Sequence, residues 1–183
     1  MKRILCGLGL VPLLIVTGCS GRGAPPQPAA LSTTATTTPA SSPLHPEPLG
    51  STYTLTDPGL KVSVTVYDVA QNFLADGAAP SGGGHWTGID VQTCLDEAHT
   101  AFTVSWTDWS VADADNGQYE VSQDQVPNVT PPIFPVSPTP LAVGECARGW
   151  VAFPVAFGAR ITTVKYKPTG RPPVFWSADD SDH

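Results

Sequence analysis

Lys61-Val62-Ser63-Val64-Thr65-Val66 and Ile89-Asp90-Val91-Gln92-Thr93-Cys94-Leu95 decide the fold. In the first, three valines alternate with Lys61, Ser63 and Thr65. In the second, Ile89, Val91, Thr93 and Leu95 alternate with Asp90, Gln92 and Cys94. Successive side chains of an extended chain point to opposite faces, so a period of two marks a strand with one face buried. The same alternation sets Phe102, Val104 and Trp106 against Thr103, Ser105 and Thr107, and Tyr119 and Val121 follow after a turn. Trp150 to Phe157 is apolar enough for a strand buried on much of its length. Ile161 to Tyr166 supplies another, and Phe175-Trp176 ends the pattern. Asn116-Gly117 predicts a two-residue hairpin, because both positions tolerate positive φ. No amphipathic helical stretch exceeds about two turns. About seven short strands with turn signals between them predict an all-β, antiparallel β-sandwich. The sandwich is expected over residues 51–178, with an acidic tail at 179–183.

Upstream, the chain changes character twice. Residues 1–18 begin with Lys2 and Arg3, continue as an apolar run from Ile4 to Val16, and lead to Cys19. The run is too short to cross a bilayer and has the form of a signal-peptide core. Val16-Thr17-Gly18-Cys19 resembles the lipobox of bacterial lipoproteins. That resemblance implies a diacylglyceryl thioether on Cys19, cleavage before it, and acylation of the freed amine. Each buried methylene adds about 0.8 kcal/mol of membrane affinity, so two or three chains anchor firmly. The expected location is therefore the extracytoplasmic face of the cell membrane. Residues 19–50 are rich in Pro, Thr, Ser and Ala with no aromatic residue, and predict a disordered tether. Its Thr-rich patch has the composition of O-glycosylated stalks.

Charge narrows the partners. The 183-residue chain carries a net charge of −7, which becomes −9 once Lys2 and Arg3 leave with the signal. An acidic chain without a basic cluster argues against nucleic acid and against electrostatic binding to anionic lipid. The membrane partner is expected through the anchor alone, with an envelope protein or glycan as the second partner.

Of the four cysteines, Cys6 lies in the signal and Cys19 takes the lipid. Cys94 and Cys146 remain, and an even pair in an oxidising compartment predicts a disulfide. A nucleophilic thiol or a pair of metal ligands are the competing readings; neither cysteine has a C-x-x-C partner, and His99 follows no zinc spacing. In a sandwich, a bridge between an early and a late strand is expected to staple one sheet to the other.

Several pieces of the domain resemble a known family. Asp113-Ala-Asp115-Asn116-Gly117-Gln118-Tyr119, Leu141-Ala-Val-Gly144-Glu145, Gly149-Trp150-Val151-Ala152-Phe153-Pro154-Val155 and Val164-Lys165-Tyr166-Lys167-Pro168 are similar to immunoglobulin-like domains of bacterial lipoproteins and mycobacterial secreted immunoprotective antigens. The resemblance covers about half of the domain. It implies an immunoglobulin-like sandwich, export, and no established enzymatic activity. Cys94, Cys146 and the glycine-rich insert before Trp86 depart from the family's pattern.

Catalytic and metal motifs are weak. Asp113 to Gly117 superficially suits a calcium loop, but the glycine arrives one position early, so a hairpin turn is the better reading. His85 and His99 flank a strand with Asp90, Asp96 and Glu97 nearby, without a recognised ligand spacing; no metal and no cofactor are expected. Ser81-Gly82-Gly83-Gly84 lacks the lysine and helix of a phosphate loop, and no serine sits in a G-x-S-x-G elbow.

Recognition has better candidates. Trp106 and Trp150 lie on strands where core packing is expected; Trp86 beside the glycine-rich loop and Trp109 at a strand end are better placed for partial exposure, although core packing is the leading reading for these two as well. Trp86, His85 and Trp109 are thus the candidate binding residues, at a loop end built around Gly82 to Trp86. Pro127 to Pro140 must be extended and stiff, with Ile133 and Phe134 packing on the sandwich or serving as a docking strip. The expected function is non-catalytic binding at the envelope. The alternatives are a lipid or small-molecule carrier, which needs a cavity between the sheets, and an envelope enzyme, which needs clustered polar residues with perturbed pKa values.

Overall fold

The two decisive segments become the two central strands of a four-stranded antiparallel sheet, which packs on a second, five-stranded sheet. A computed structural model describes residues 45–74, 79–122 and 132–179. Cys19, the residue expected to carry the lipid, the expected signal, most of the expected tether and residues 180–183 lie outside the described residues.

One sheet has the order β2 (Thr52–Asp57), β3 (Leu60–Ala70), β4 (His85–Ala98) and β9 (Cys146–Val155), all antiparallel. The other has the order β1 (Glu47–Pro48), β11 (Val174–Ser177), β10 (Ile161–Tyr166), β6 (Trp109–Asp113) and β7 (Gln118–Glu120). Among the strands of the described residues, β1 alone pairs parallel, against β11. The sheet thus begins at Glu47, inside the stretch read from sequence as tether. A short ladder joins β5 (Phe102–Val104) to β8 (Thr139–Leu141).

The sheets bury their facing sides in one core. Val62, Val64, Val66, Ile89, Val91 and Leu95 meet Val111, Ile161, Val164, Tyr166 and Trp176, all in a single buried cluster. Trp109 sits within it, 4.6 Å from Tyr166 and 6.2 Å from both Phe134 and Trp176, ring centre to ring centre. Burial pushes the Tyr166 phenol well above its ordinary pKa, with the charge of Asp108 adding to the effect. Gln71 clasps the two sheets: its amide N–H donates to the Ile161 carbonyl (2.8 Å) and its amide oxygen accepts the Ile161 N–H (3.0 Å).

Two local expectations change. The stretch from Phe102 to Thr107 is not one strand, because a 3-10 turn, Trp106–Asp108, interrupts it. The Ser105 hydroxyl accepts the Thr107 N–H, and the Asp108 carboxylate accepts the Ser105 N–H, a capping box that competes with strand pairing. The chain can then leave β5 and enter a different sheet as β6. Burial raises the Asp108 pKa, and the Ser105 N–H opposes that rise.

The hairpin at Asn116-Gly117 forms, but its turn is longer than two residues. Ala112 pairs with Gln118, and only Asn116 takes positive φ, at 65°. Asp113 organises the turn. Its carboxylate accepts the N–H groups of Asp115 (3.0 Å) and Gly117 (2.7 Å) and the Tyr119 hydroxyl (2.7 Å). These bonds, the Tyr119 hydroxyl first, hold its pKa below the ordinary 3.8. A depressed folded-state pKa gives stability that is complete above the unfolded value and lost as pH falls through the folded one. Thermal midpoints of the native protein and Asp113→Ala should therefore differ at neutral pH and converge as pH falls from the ordinary 3.8 through the lower folded-state value. A constant gap across that range would show the carboxylate charge to be irrelevant.

Candidate functional site

The outward parity of the four-stranded sheet carries the candidate site. On β4 the core positions are Ile89, Val91 and Leu95, so Asp90, Gln92 and Cys94 face away from the core. On β9 the core positions are Val151, Phe153 and Val155, which turns Arg148 and Trp150 outward. The register sets Asp90 opposite Trp150, Gln92 opposite Arg148, and Cys94 opposite Cys146. Next to them, β3 passes from Val66 opposite Val91 to Asp68 opposite Asp90, so Tyr67 is the extra residue of a β-bulge. The bulge leaves Tyr67 38% exposed on this same face.

These side chains engage one another. Arg148 forms a two-pronged ion pair with Asp90, at 3.2 Å from Nε and 2.7 Å from Nη2. Those bonds hold the guanidinium pKa above its ordinary value. The guanidinium lies 4.1 Å over the centre of the Tyr67 ring, a cation–π contact, while the Tyr67 hydroxyl donates to Gln92 at 3.3 Å. Phe73 stacks on Trp150 with centroids 4.6 Å apart. Both rings rest on Gly88, where a Cβ would lie 2.5 Å from the Phe73 ring and 2.8 Å from that of Trp150. Glycine is required there for the aromatic pair to reach the sheet. Half-buried Trp150 then borders an open cleft of about 360 Å³ with Asp90, Pro132, Arg148 and Gly149.

The binding residues expected from sequence are placed differently. Trp109 is wholly buried in the core, and Trp86 is 4% exposed, so both are buried, as the leading reading has it, and the exposed alternative that made them binding candidates is corrected. Trp109 is enclosed because the capping turn delivers it into the five-stranded sheet. Trp86 lies outside the core cluster, at an outward register position opposite Pro154, and its carbonyl accepts the Phe73 N–H. Half-buried His85 begins β4 beside the glycine loop. The exposed aromatic at that end is Phe157, at 82%. The loop owes its path to Gly84, whose φ is +93° and whose Cβ would lie 2.1 Å from the Val155 carbonyl oxygen. Trp150, expected in the core, is the tryptophan on the surface. Its parity with Arg148, against Val151, Phe153 and Val155, was the available signal.

The remaining candidates also find their places. Cys94 and Cys146 form a disulfide with a Cα separation of 4.0 Å. It joins paired residues of neighbouring strands within one sheet, which corrects the expected staple between sheets. Its upper neighbour is Gln92, whose amide donates to Cys94 Sγ at 3.0 Å. Phe134 packs on Trp109, and the stretch from Pro132 to Phe134 covers the β9 edge: Trp150 N–H donates to the Pro132 carbonyl and Phe134 N–H to that of Trp150. The rest of the proline-rich strip, up to residue 131, lies outside the described residues. His99 pairs with Glu97 at 3.7 Å, and Asp96 accepts from Ser63. Among the described residues no three His, Cys, Asp or Glu converge on a metal position. A second cleft, of about 270 Å³, is lined by residues including Ser105, Thr107, Asp108 and Arg171. Of its polar groups, Ser105, Thr107 and Asp108 already serve the capping box, and Arg171 pairs with Asp57 (2.6 Å). Among the described residues no helix is long and apolar enough to cross a membrane.

No protein-family model matches the chain, and no curated protein does. Among solved structures, MPT63, a secreted protein from Mycobacterium tuberculosis, is similar in fold. It is 19% identical with a TM-score of 0.54, over 73% of this chain and 98% of that one. The yjhA protein from Bacillus subtilis is 12% identical with a TM-score of 0.48, over 73% and 99% of the two chains. The likeness to MPT63 agrees with the two packed sheets, and the fold is an immunoglobulin-like antiparallel β-sandwich.

Proposed function

We propose that the protein is a cell-envelope lipoprotein, anchored through Cys19, whose sandwich recognises a partner without catalysing a reaction. The observation that carries the recognition reading is the convergence of Trp150, Tyr67 and the Asp90–Arg148 pair on one outward face beside an open cleft. Aromatic residues and arginine are the side chains enriched where proteins meet partners. The sequence supports the anchor, and the secreted nature of MPT63 supports export of this fold. The non-catalytic reading rests on Asp90 and Arg148 at this face being engaged with each other.

The test places a photoreactive phenylalanine analogue at Tyr67 in the full chain. Irradiation of intact cells should yield a crosslinked envelope component. Cys19→Ala should move the protein out of the detergent phase and remove that crosslink. No crosslink from the native protein would defeat the recognition reading, and unchanged detergent partitioning of Cys19→Ala would defeat the anchor.

A further inference from the structure

We infer that the cleft beside Trp150 binds a neutral glycan, an inference that rests on the recognition surface proposed above. Three features of the cleft select this ligand class. First, its aromatic wall is held in place: Phe73 stacks on the Trp150 indole, and both rest on Gly88. An immobilised indole offers a flat apolar surface at little entropic cost, which suits the C–H face of a sugar ring. Second, the polar groups beside it form a compensated pair. Asp90 and Arg148 neutralise each other, yet a carboxylate has about four acceptor sites and a guanidinium five donors, and their mutual bonds occupy only part of these. They leave an acceptor and a donor side by side. A hydroxyl is both donor and acceptor, so neighbouring hydroxyls on a rigid ring match such a pair, whereas a charged ligand would find no uncompensated partner. The net charge of −9 on the mature chain also disfavours polyanions.

Third, the cleft is closed to the usual alternative. Peptides that bind sheet edges gain affinity from main-chain hydrogen bonds. At Trp150 those groups on the β9 edge are already taken, by Pro132 and Phe134 of the chain itself. A ligand here must bind through side chains. The cleft's 360 Å³ lies at the small end of the range for ligand sites, about 300–1,000 Å³.

Affinity electrophoresis of the full mature protein in detergent tests this, with gels containing a soluble β-1,4-glucan, an α-mannan or an arabinogalactan. At least one should retard the native protein, with no change on raising salt. Trp150→Ala should weaken retardation by about tenfold or more. Should that variant melt early, Asp90→Asn, which keeps the side-chain shape, should weaken it several-fold with melting unchanged. Retardation by none of the three polysaccharides overturns the inference, as does equal retardation of native protein and both variants. Binding to dextran sulfate alone, abolished by salt, also overturns it. A crosslink from Tyr67 to a protein, without polysaccharide retardation, overturns the glycan assignment and leaves the recognition face standing. Absence of both defeats the two together.

Discussion

Trp109→Ala is expected to destabilise the sandwich by about 3–5 kcal/mol, the range for truncating a fully buried large aromatic. Domains of this size hold about 5–15 kcal/mol in total, so the variant should approach the limit of folding. The residue is wholly buried and contacts Phe134, Tyr166 and Trp176, which come from a loop and two other strands. Removing it opens a cavity that three rings must share. Its indole N–H has no hydrogen-bond partner among the described residues, so Trp109→Phe should lose packing volume without losing a hydrogen bond. The phenylalanine variant should accordingly recover most of the stability. Denaturant titration at constant m-value measures both. A loss below about 1 kcal/mol in the alanine variant would place Trp109 outside the core and reopen its reading as a surface residue.

Replacing Cys94 and Cys146 together by serine should lower stability by about 2–4 kcal/mol. The bridge closes a separation of 52 residues, for which the chain-entropy model gives an upper figure of about 4 kcal/mol. The effect should also be local. β9 is the edge strand of its sheet, and the bridge ties its first residue to β4. Beyond the bridge, backbone bonds from Leu95 to Glu145 and from Gly144 to Leu95 extend the ladder. Amide exchange in the double variant should rise most from Gly144 to Arg148, while Val151 to Val155 stays protected within the core-facing part of the strand. A uniform rise across the whole sandwich would show that the bridge acts only on the unfolded chain. Because Arg148 stands in the loosened segment, polysaccharide retardation should weaken along with local protection.

Much of the fold was legible because its signals are local. The valines of β3 and the alternation of β4 reach the core in the faces that period two assigns them, and Ile161 to Tyr166 forms a strand with those bounds. The Asn116 turn is also local, since an αL residue and an Asx acceptor act within five residues. What failed were judgements that treated a tryptophan by its neighbourhood. Trp86 and Trp109 stand near loops, which offered exposure as a rival to core packing, yet a loop can lie over a side chain as easily as leave it bare. Trp150 stands among apolar residues, which suggested burial, although its parity with Arg148 pointed outward. The surface cluster had no motif to find: Tyr67, Asp90, Arg148 and Trp150 come from three strands and meet only through register.

The sequence by itself determined an all-β chain, the core faces of β3 and β4, and the two cysteines available to pair. It did so because side-chain alternation and turn chemistry are properties of a few consecutive residues. Only the tertiary structure decided that Cys146 pairs with Cys94 inside one sheet, that Ser105 and Asp108 divert the chain from one ladder to another, and that Tyr67 bulges toward Arg148. Those outcomes depend on which strands lie side by side and in what register. Such pairings bring together residues far apart along the chain, and no periodicity within a single segment encodes them.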